Sequence, residues 1–128
     1  DGHSDADALL HALCDALLGA VGAGDIGSHF PDTDSKWKGI SSLILLEQVT
    51  AICRDKGFEV TNIDSIIVAQ KPKLASFLPD MKKNISQAMA IDIGQINIKA
   101  TTTEKLGFAG KEEGIAAYAV ALLSKTVN

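Results

Sequence analysis

The chain has 128 residues, 46% of them hydrophobic and 22% charged, a length and balance suited to one domain with a buried core and unlike a disordered chain. Its formal net charge is −4, from 12 basic and 16 acidic residues with no dense Lys/Arg stripe, which argues against a nucleic-acid backbone as partner. No run of about 18 apolar residues occurs, so neither a transmembrane helix nor a membrane partner is expected.

Asp5 to about Ala23 reads as a helix, with Ser4 as N-cap and Asp7 three residues on in a capping-box pattern. Leu10, Leu13, Leu17 and Val21 form its apolar stripe. Asp7, His11 and Asp15 follow at i, i+4 and i+8 and share a different face. Gly22 and Gly24 end the helix. Residues 25–39 form a loop rich in Gly, Pro, Asp, Ser and Thr, without periodicity, of a length often tied to function. Ser41 to Lys56 is a second helix, with Leu45, Val49 and Ile52 on one face and Gly57 as its stop. Glu59 to Gln70 alternates as a strand, and Lys71-Pro72-Lys73 is a turn. Pro79 suits the first turn of a third helix carried by Leu78, Met81, Ile85 and Met89. Gln95 to Thr101 is a second strand, with Ile96, Ile98 and Ala100 on one side. Glu112 to Lys125, rich in Ala and Leu, reads as a final helix. The expected class is α+β, a mixed α/β sandwich whose sheet carries helices on one face, in a single domain over residues 1–128.

Cys14 and Cys53 have neither metal-ligand nor redox spacing. They read as small buried hydrophobes in a reducing compartment. His11 flanked by carboxylates on one helical face suits a metal ligand whose second nitrogen a carboxylate holds, and equally an ordinary helix histidine paired to acidic neighbours. The segment Ala100-Thr101-Thr102-Thr103-Glu104-Lys105-Leu106-Gly107-Phe108 is the strongest local signal. Three hydroxyls can hold phosphate oxygens, and a carboxylate is a hard ligand for a divalent metal bridging them. In an acidic chain, metal ions and backbone N–H groups must supply the positive field for such a ligand. No Ser/His/Asp or Cys/His arrangement suggests an enzyme nucleophile.

Three strings together resemble the 2-C-methyl-D-erythritol 2,4-cyclodiphosphate synthase family, metal-dependent enzymes of the non-mevalonate isoprenoid pathway. They are His3-Ser4-Asp5-Ala6-Asp7 running into His11, the stretch Asp25-Ile26-Gly27-Ser28-His29-Phe30-Pro31-Asp32-Thr33-Asp34, and Ala100 to Phe108. The resemblance runs from Gly2 to about Lys125. It implies a lyase that converts 4-diphosphocytidyl-2-C-methyl-D-erythritol 2-phosphate to the cyclic diphosphate and cytidine monophosphate. It also implies a homotrimer with shared active sites, in the bacterial cytoplasm or a plastid.

By the same resemblance, His11 is a zinc ligand whose companions come from an upstream Asp-x-His strand that this sequence does not contain. The domain is therefore expected to be incomplete at its amino terminus. Glu104 holds Mg²⁺ or Mn²⁺, and His3 and Thr102 stabilise charge in the transition state. His3 and Ser4 contact the methylerythritol phosphate. Asp25, Ile26 and Gly27, with Phe30, Pro31, Asp32, Thr33 and Asp34, line the pocket in a loop able to close. Ala69, Gln70, Lys71, Pro72, Lys73, Leu74 and Ala75 hold the cytidine base largely through backbone groups. Thr101, Thr102, Thr103 and Glu104 hold the diphosphate, while Phe108 and Lys111 face substrate or bound isoprenoid phosphate. Position 111 is often arginine in such enzymes, and lysine loses bidentate phosphate geometry. Two other readings remain open: a non-catalytic trimeric module binding nucleotides or isoprenoid phosphates, and a metal-dependent phosphohydrolase, for which the sequence offers no clear base.

Overall fold

Apolar side chains at helical spacing draw the first segment onto the core. Leu9, Leu10, Leu13, Cys14, Leu17 and Leu18 are buried along helix α1 (Gly2–Ala20). The computed structural model describes residues 2–37, 39–69, 76–102 and 115–126, with the backbone alone for residues 2–4. A one-turn helix, α2 (Ile26–His29), follows, then α3 (Ser42–Asp55) and strand β1 (Phe58–Val68). Helix α4 (Leu78–Met89), a 3₁₀ turn (Ile93–Gln95), β2 (Ile96–Thr101) and β3 (Ala116–Lys125) complete the order.

Among the described residues the sheet has three strands in the order β2-β1-β3. β2 runs parallel to β1 with Ile63 opposite Ile96, and β3 runs antiparallel from Phe58↔Lys125 to Val68↔Ala116. Val60 pairs Leu123 and Asn62 pairs Leu122, so Thr61 is an extra residue. That bulge shifts the phase of β1 and lets both Val60 and Ile63 face the core, which strict alternation would forbid. One cluster of buried side chains joins α1, α3, α4, β1 and β2, with all the long helices on one face of the sheet as the sequence implied.

Two sequence expectations fail. The final helix over Glu112–Lys125 is instead β3, with Glu112 itself outside the described residues. Alanine favours helix in isolation, but here its smallness is what matters. Ala117, Ala119, Ala121 and Leu123 pack on the core, where α1 lies across β3, while Tyr118, Val120 and Leu122 alternate outward. Ladder pairing with β1 and close helix approach override local propensity. Ser4 is also not an N-cap, and His3 and Ser4 do not precede the helix, because their backbone is already in its first turn. Apolar periodicity marks the buried length of a helix and is silent about an exposed start.

Arg54 ties three elements together. Its guanidinium donates to Glu59 Oε1 from Nε at 2.9 Å and from Nη2 at 2.7 Å, and Nη2 also reaches the Met89 carbonyl at the end of α4 at 2.8 Å. A cation at a helix carboxyl end meets carbonyls that lack intrahelical donors. The Arg54 hydrogen bond is the main reason the Glu59 carboxyl lies below its ordinary value.

Two outcomes follow from this packing. Ala119→Leu, forcing bulk between β3 and α1, lowers stability by about 1–3 kcal/mol in urea melts, whereas a helix at this position would tolerate it. Arg54→Ala costs roughly 1–2 kcal/mol, of which the half-exposed ion pair supplies under ~1. Because the folded Glu59 pKa is depressed, its share of stability is present above the ordinary 4.5 and fades as pH falls through the folded value. The gap between native and variant protein in acid melts therefore narrows at low pH to the part supplied by the Met89 contact.

Candidate active site

The polar face of α1 carries the first group of candidate residues. Asp7, His11 and Asp15 are all exposed on it, as their spacing requires. The His11 ring is braced by α3: Nε2 lies 3.3 Å from Oγ of Ser42, a residue buried at the start of that helix. Where the sequence led us to expect a carboxylate on the second ring nitrogen, the structure gives a hydroxyl. Asp15 is engaged elsewhere, its Oδ1 accepting the amide hydrogen of Ile26 at 3.0 Å.

That contact anchors the segment after α1. Ala23 N donates to Leu18 O, and Gly22 and Gly24 hold φ of 68° and 86°, left-handed values that glycine adopts freely. A Cβ on Gly24 would meet Ser28 Oγ at 3.1 Å. Asp25 then caps α2: its Oδ1 accepts from Ser28 N at 2.9 Å, while the Ser28 side chain reaches back to the Asp25 backbone. His29 Nε2 lies 2.6 Å from the Ala23 carbonyl, which can only accept, so that nitrogen carries the proton.

Beyond α2 the chain turns over an aromatic seat. Phe30 is buried, with its ring edge-on to Trp37 at 4.8 Å between centroids and 86° between planes. Lys36 Nζ lies 4.7 Å over the Trp37 ring. Asp34 Oδ1 accepts from Lys36 N, and Pro31 O from Asp34 N, so the turn is closed by its own backbone. Asp32, Thr33 and Asp34 are left exposed on an ordered turn, and Ile26 and Pro31 are half-buried beside it.

A second group gathers at the carboxyl ends of the parallel strands. Ala69, buried just past β1, donates its N–H to the Thr101 carbonyl at 3.0 Å, and Val68 pairs Thr101. The segments leaving β1 and β2 thus start side by side, at the end of a parallel sheet where ligands commonly sit. Thr101 is exposed and Thr102 half-buried. Gln70, Lys71, Pro72, Lys73, Leu74, Ala75, Thr103, Glu104, Phe108 and Lys111 lie outside the described residues, as do the side chains of His3 and Ser4. No hydrogen bond or ion pair among the described residues joins this group to the one around His11.

Among the described residues no group of three His, Cys, Asp or Glu is close enough to hold a metal ion. His11 is one donor, short of the set that a zinc site requires. Nor is there a thiol nucleophile. Cys14 and Cys53 are buried and unbonded to each other, and the Cys14 thiol is pushed up to about 12, chiefly by burial and then by the charge of Asp15. Burial raises Cys53 as well, and its Sγ–H donates to the Leu17 carbonyl. Sequence reasoning assigned nothing to His29, Trp37 or Ser42. Ser42 is 31 residues from His11, so no local pattern could pair them.

The chain matches the model of the YgbB family over residues 1–124. A 2-C-methyl-D-erythritol 2,4-cyclodiphosphate synthase of Pelotomaculum thermopropionicum is 62% identical over 125 residues, covering 98% of this chain and 77% of that protein. The synthase of Syntrophotalea carbinolica is 57% identical over 127 residues, covering 99% of this chain and 77% of the relative. The solved bifunctional IspDF of Campylobacter jejuni superposes with a TM-score of 0.89 at 48% identity over the whole of this chain, which spans 34% of that longer one. The IspF of Plasmodium falciparum, solved as a CDP complex, gives a TM-score of 0.82 at 33% identity over 94% of this chain and 72% of its own. Fold, residue strings and relatives agree, and the chain belongs to the YgbB family, among the 2-C-methyl-D-erythritol 2,4-cyclodiphosphate synthases.

Proposed function

We propose that the chain closes 4-diphosphocytidyl-2-C-methyl-D-erythritol 2-phosphate into its 2,4-cyclodiphosphate, at a site that neighbouring copies complete. Family membership makes it an enzyme, a lyase of isoprenoid biosynthesis. The observation that carries the reaction is the Asp25–Asp34 segment, an exposed, internally hydrogen-bonded turn tied to the helix that bears His11. A polyol phosphate needs such a wall of fixed acceptors. Asp32 and Asp34 are exposed, and Asp25 keeps one carboxylate oxygen beyond its cap.

The reaction needs no enzyme nucleophile, which suits a chain whose two thiols are buried and protonated. An oxygen of the 2-phosphate attacks the β-phosphorus. The bond from that phosphorus to the oxygen bridging the α-phosphate breaks, and cytidine monophosphate leaves with the electron pair. Catalysis is then largely positioning and charge stabilisation. His3 would donate to a developing oxyanion, and the Thr102 hydroxyl to the diphosphate. The backbone of residues 69–75 would read the cytidine base. A relative's solution as a CDP complex supports a cytidine nucleotide as the ligand class. A zinc ion with His11 among its ligands, and Mg²⁺ or Mn²⁺ with Glu104, would neutralise phosphate charge, and the remaining zinc donors would have to come from outside the described residues.

The trimer is the second part of the proposal. An antiparallel strand with one solvated face normally alternates apolar-in with polar-out. Here the face away from the helices presents Tyr118, Val120 and Leu122 at 63%, 67% and 59% exposure, beside half-buried Ile66 and Val68. Copies of the chain packed face to face would cover it. The proposed site takes the Thr101–Thr102 end from one copy and the His11 group from another, since no described polar contact joins the two within a protomer.

Incubation with the cytidine-diphosphate substrate, Zn²⁺ and Mg²⁺ gives cyclic diphosphate and cytidine monophosphate by ³¹P NMR. A linear product would point to a phosphohydrolase, and bound but unconverted substrate to a non-catalytic binding module. Sedimentation finds a native mass three times the protomer's, and Val120→Asp shifts it to the protomer while far-UV circular dichroism is unchanged.

A further inference from the structure

We infer that Asp15 is a positioning residue for substrate binding: it holds the Asp25–Gly27 backbone at a fixed distance from His11 and has no role in the phosphoryl transfer itself. The inference rests on the proposed function, because it assigns the loop its substrate. Its grounds are a division of labour between two carboxylates. Helix α2 is one turn long, and its amino-terminal N–H groups have no intrahelical acceptors. Asp25 Oδ1 takes the N–H of Ser28 at 2.9 Å, and the N–H of Ile26 is taken across an eleven-residue gap by Asp15 Oδ1 at 3.0 Å. Asp15 sits one helical turn beyond His11 on the same face of α1, so a single rigid element carries both the imidazole and the anchor of the loop.

The other end of the loop is fixed differently. His29 Nε2–H donates to the Ala23 carbonyl at 2.6 Å, and Ala23 N donates to Leu18 O at the end of α1. The first ties the segment to itself, and the second ties its start to the carboxyl end of α1. Among the described residues the Asp15–Ile26 bond is the side-chain hydrogen bond that registers α2 against the body of α1. Without it, the backbone at Gly22 and Gly24, each already at positive φ, lets the amino-terminal end of α2 shift against α1 while Phe30 stays buried. Loop position sets how well a polyol phosphate is held; the chemistry at the β-phosphorus does not pass through this carboxylate. Loss of Asp15 should therefore weaken substrate binding and spare turnover.

The test compares Asp15→Ala with Asp15→Asn, since the amide oxygen of asparagine still accepts the Ile26 N–H. The chain's single tryptophan, Trp37, packs edge-to-face with Phe30 in this loop and reports on its order. Asp15→Ala is expected to raise KM about tenfold with kcat within twofold, and to increase acrylamide quenching of Trp37 in the substrate-free protein. Asp15→Asn restores both to near native values, and both variants melt within a few degrees of the native protein. Equal loss of kcat in the two variants, with KM unchanged, would overturn the inference by placing the charge in the chemistry. Unchanged KM and unchanged quenching in Asp15→Ala would overturn it as well. The quenching comparison does not require turnover. If the native chain makes no cyclic product, the functional reading fails alone, and quenching still decides whether Asp15 holds the loop.

Discussion

The small side chains on one face of β3 are the constraint on which the rest of this structure depends. Ala117, Ala119 and Ala121 let α1 lie close across the antiparallel pair β1–β3. Leu9, Leu13, Leu17 and Leu18 of α1 then reach full burial, each contributing on the order of 1.5–3 kcal/mol relative to exposure. Burying that stripe fixes the rotation of α1 about its axis. With the rotation fixed, His11 and Asp15 must face outward, towards α3 and the loop. The position of the functional face is thus a consequence of packing on the opposite side of the helix.

The same logic explains why an acidic segment can form an ordered wall. Residues 25–34 contain three aspartates within a chain of net charge −4, and repulsion alone would splay them. Asp25 and Asp34 each accept a local backbone N–H, and Asp15 accepts another at the same corner. Charge-assisted bonds of this kind are stronger than neutral ones, so the carboxylates stiffen the turn that presents them. Phe30 and Trp37 seat it on the core from below. A wall of fixed acceptors results, suited to hydroxyl groups and leaving phosphate to be met elsewhere.

Much of this was legible in the sequence, because long amphipathic helices and alternating strands encode their own period. Helix α3 begins with Ser41 as its cap and stops at Gly57, whose φ is 89°. Helix α4 carries Pro79 in its first turn, and β2 runs to Thr101. What failed was a contest between levels. The alanines of β3 favour helix locally, and only a partner strand and a helix distant in sequence make them strand residues. The Asp15–Ile26 contact was likewise invisible, since two residues eleven apart form no motif. The residue strings that carry the family resemblance needed no such three-dimensional information, which is why the family was legible where β3 was not.

The bare sheet face shows how a surface can be prepared for burial without becoming a general adhesive. Alongside its apolar residues it carries Asp64, paired with Lys99 Nζ at 2.8 Å and Asn97 Nδ2 at 2.9 Å. Those two partners hold the carboxyl below its ordinary range, Lys99 first. In the proposed trimer this cluster enters the interface already neutralised, so its desolvation costs less than that of an isolated charge. In the lone protomer the same charges keep the sheet edge and face hydrated and oppose non-specific stacking. In that trimer the apolar strands would supply the affinity, and the Asp64–Lys99–Asn97 cluster would restrict which packing can satisfy every polar group at once. In the proposed trimer the active site is divided between the His11 helix and the ends of β1 and β2, and such a restriction would let its halves meet in one register.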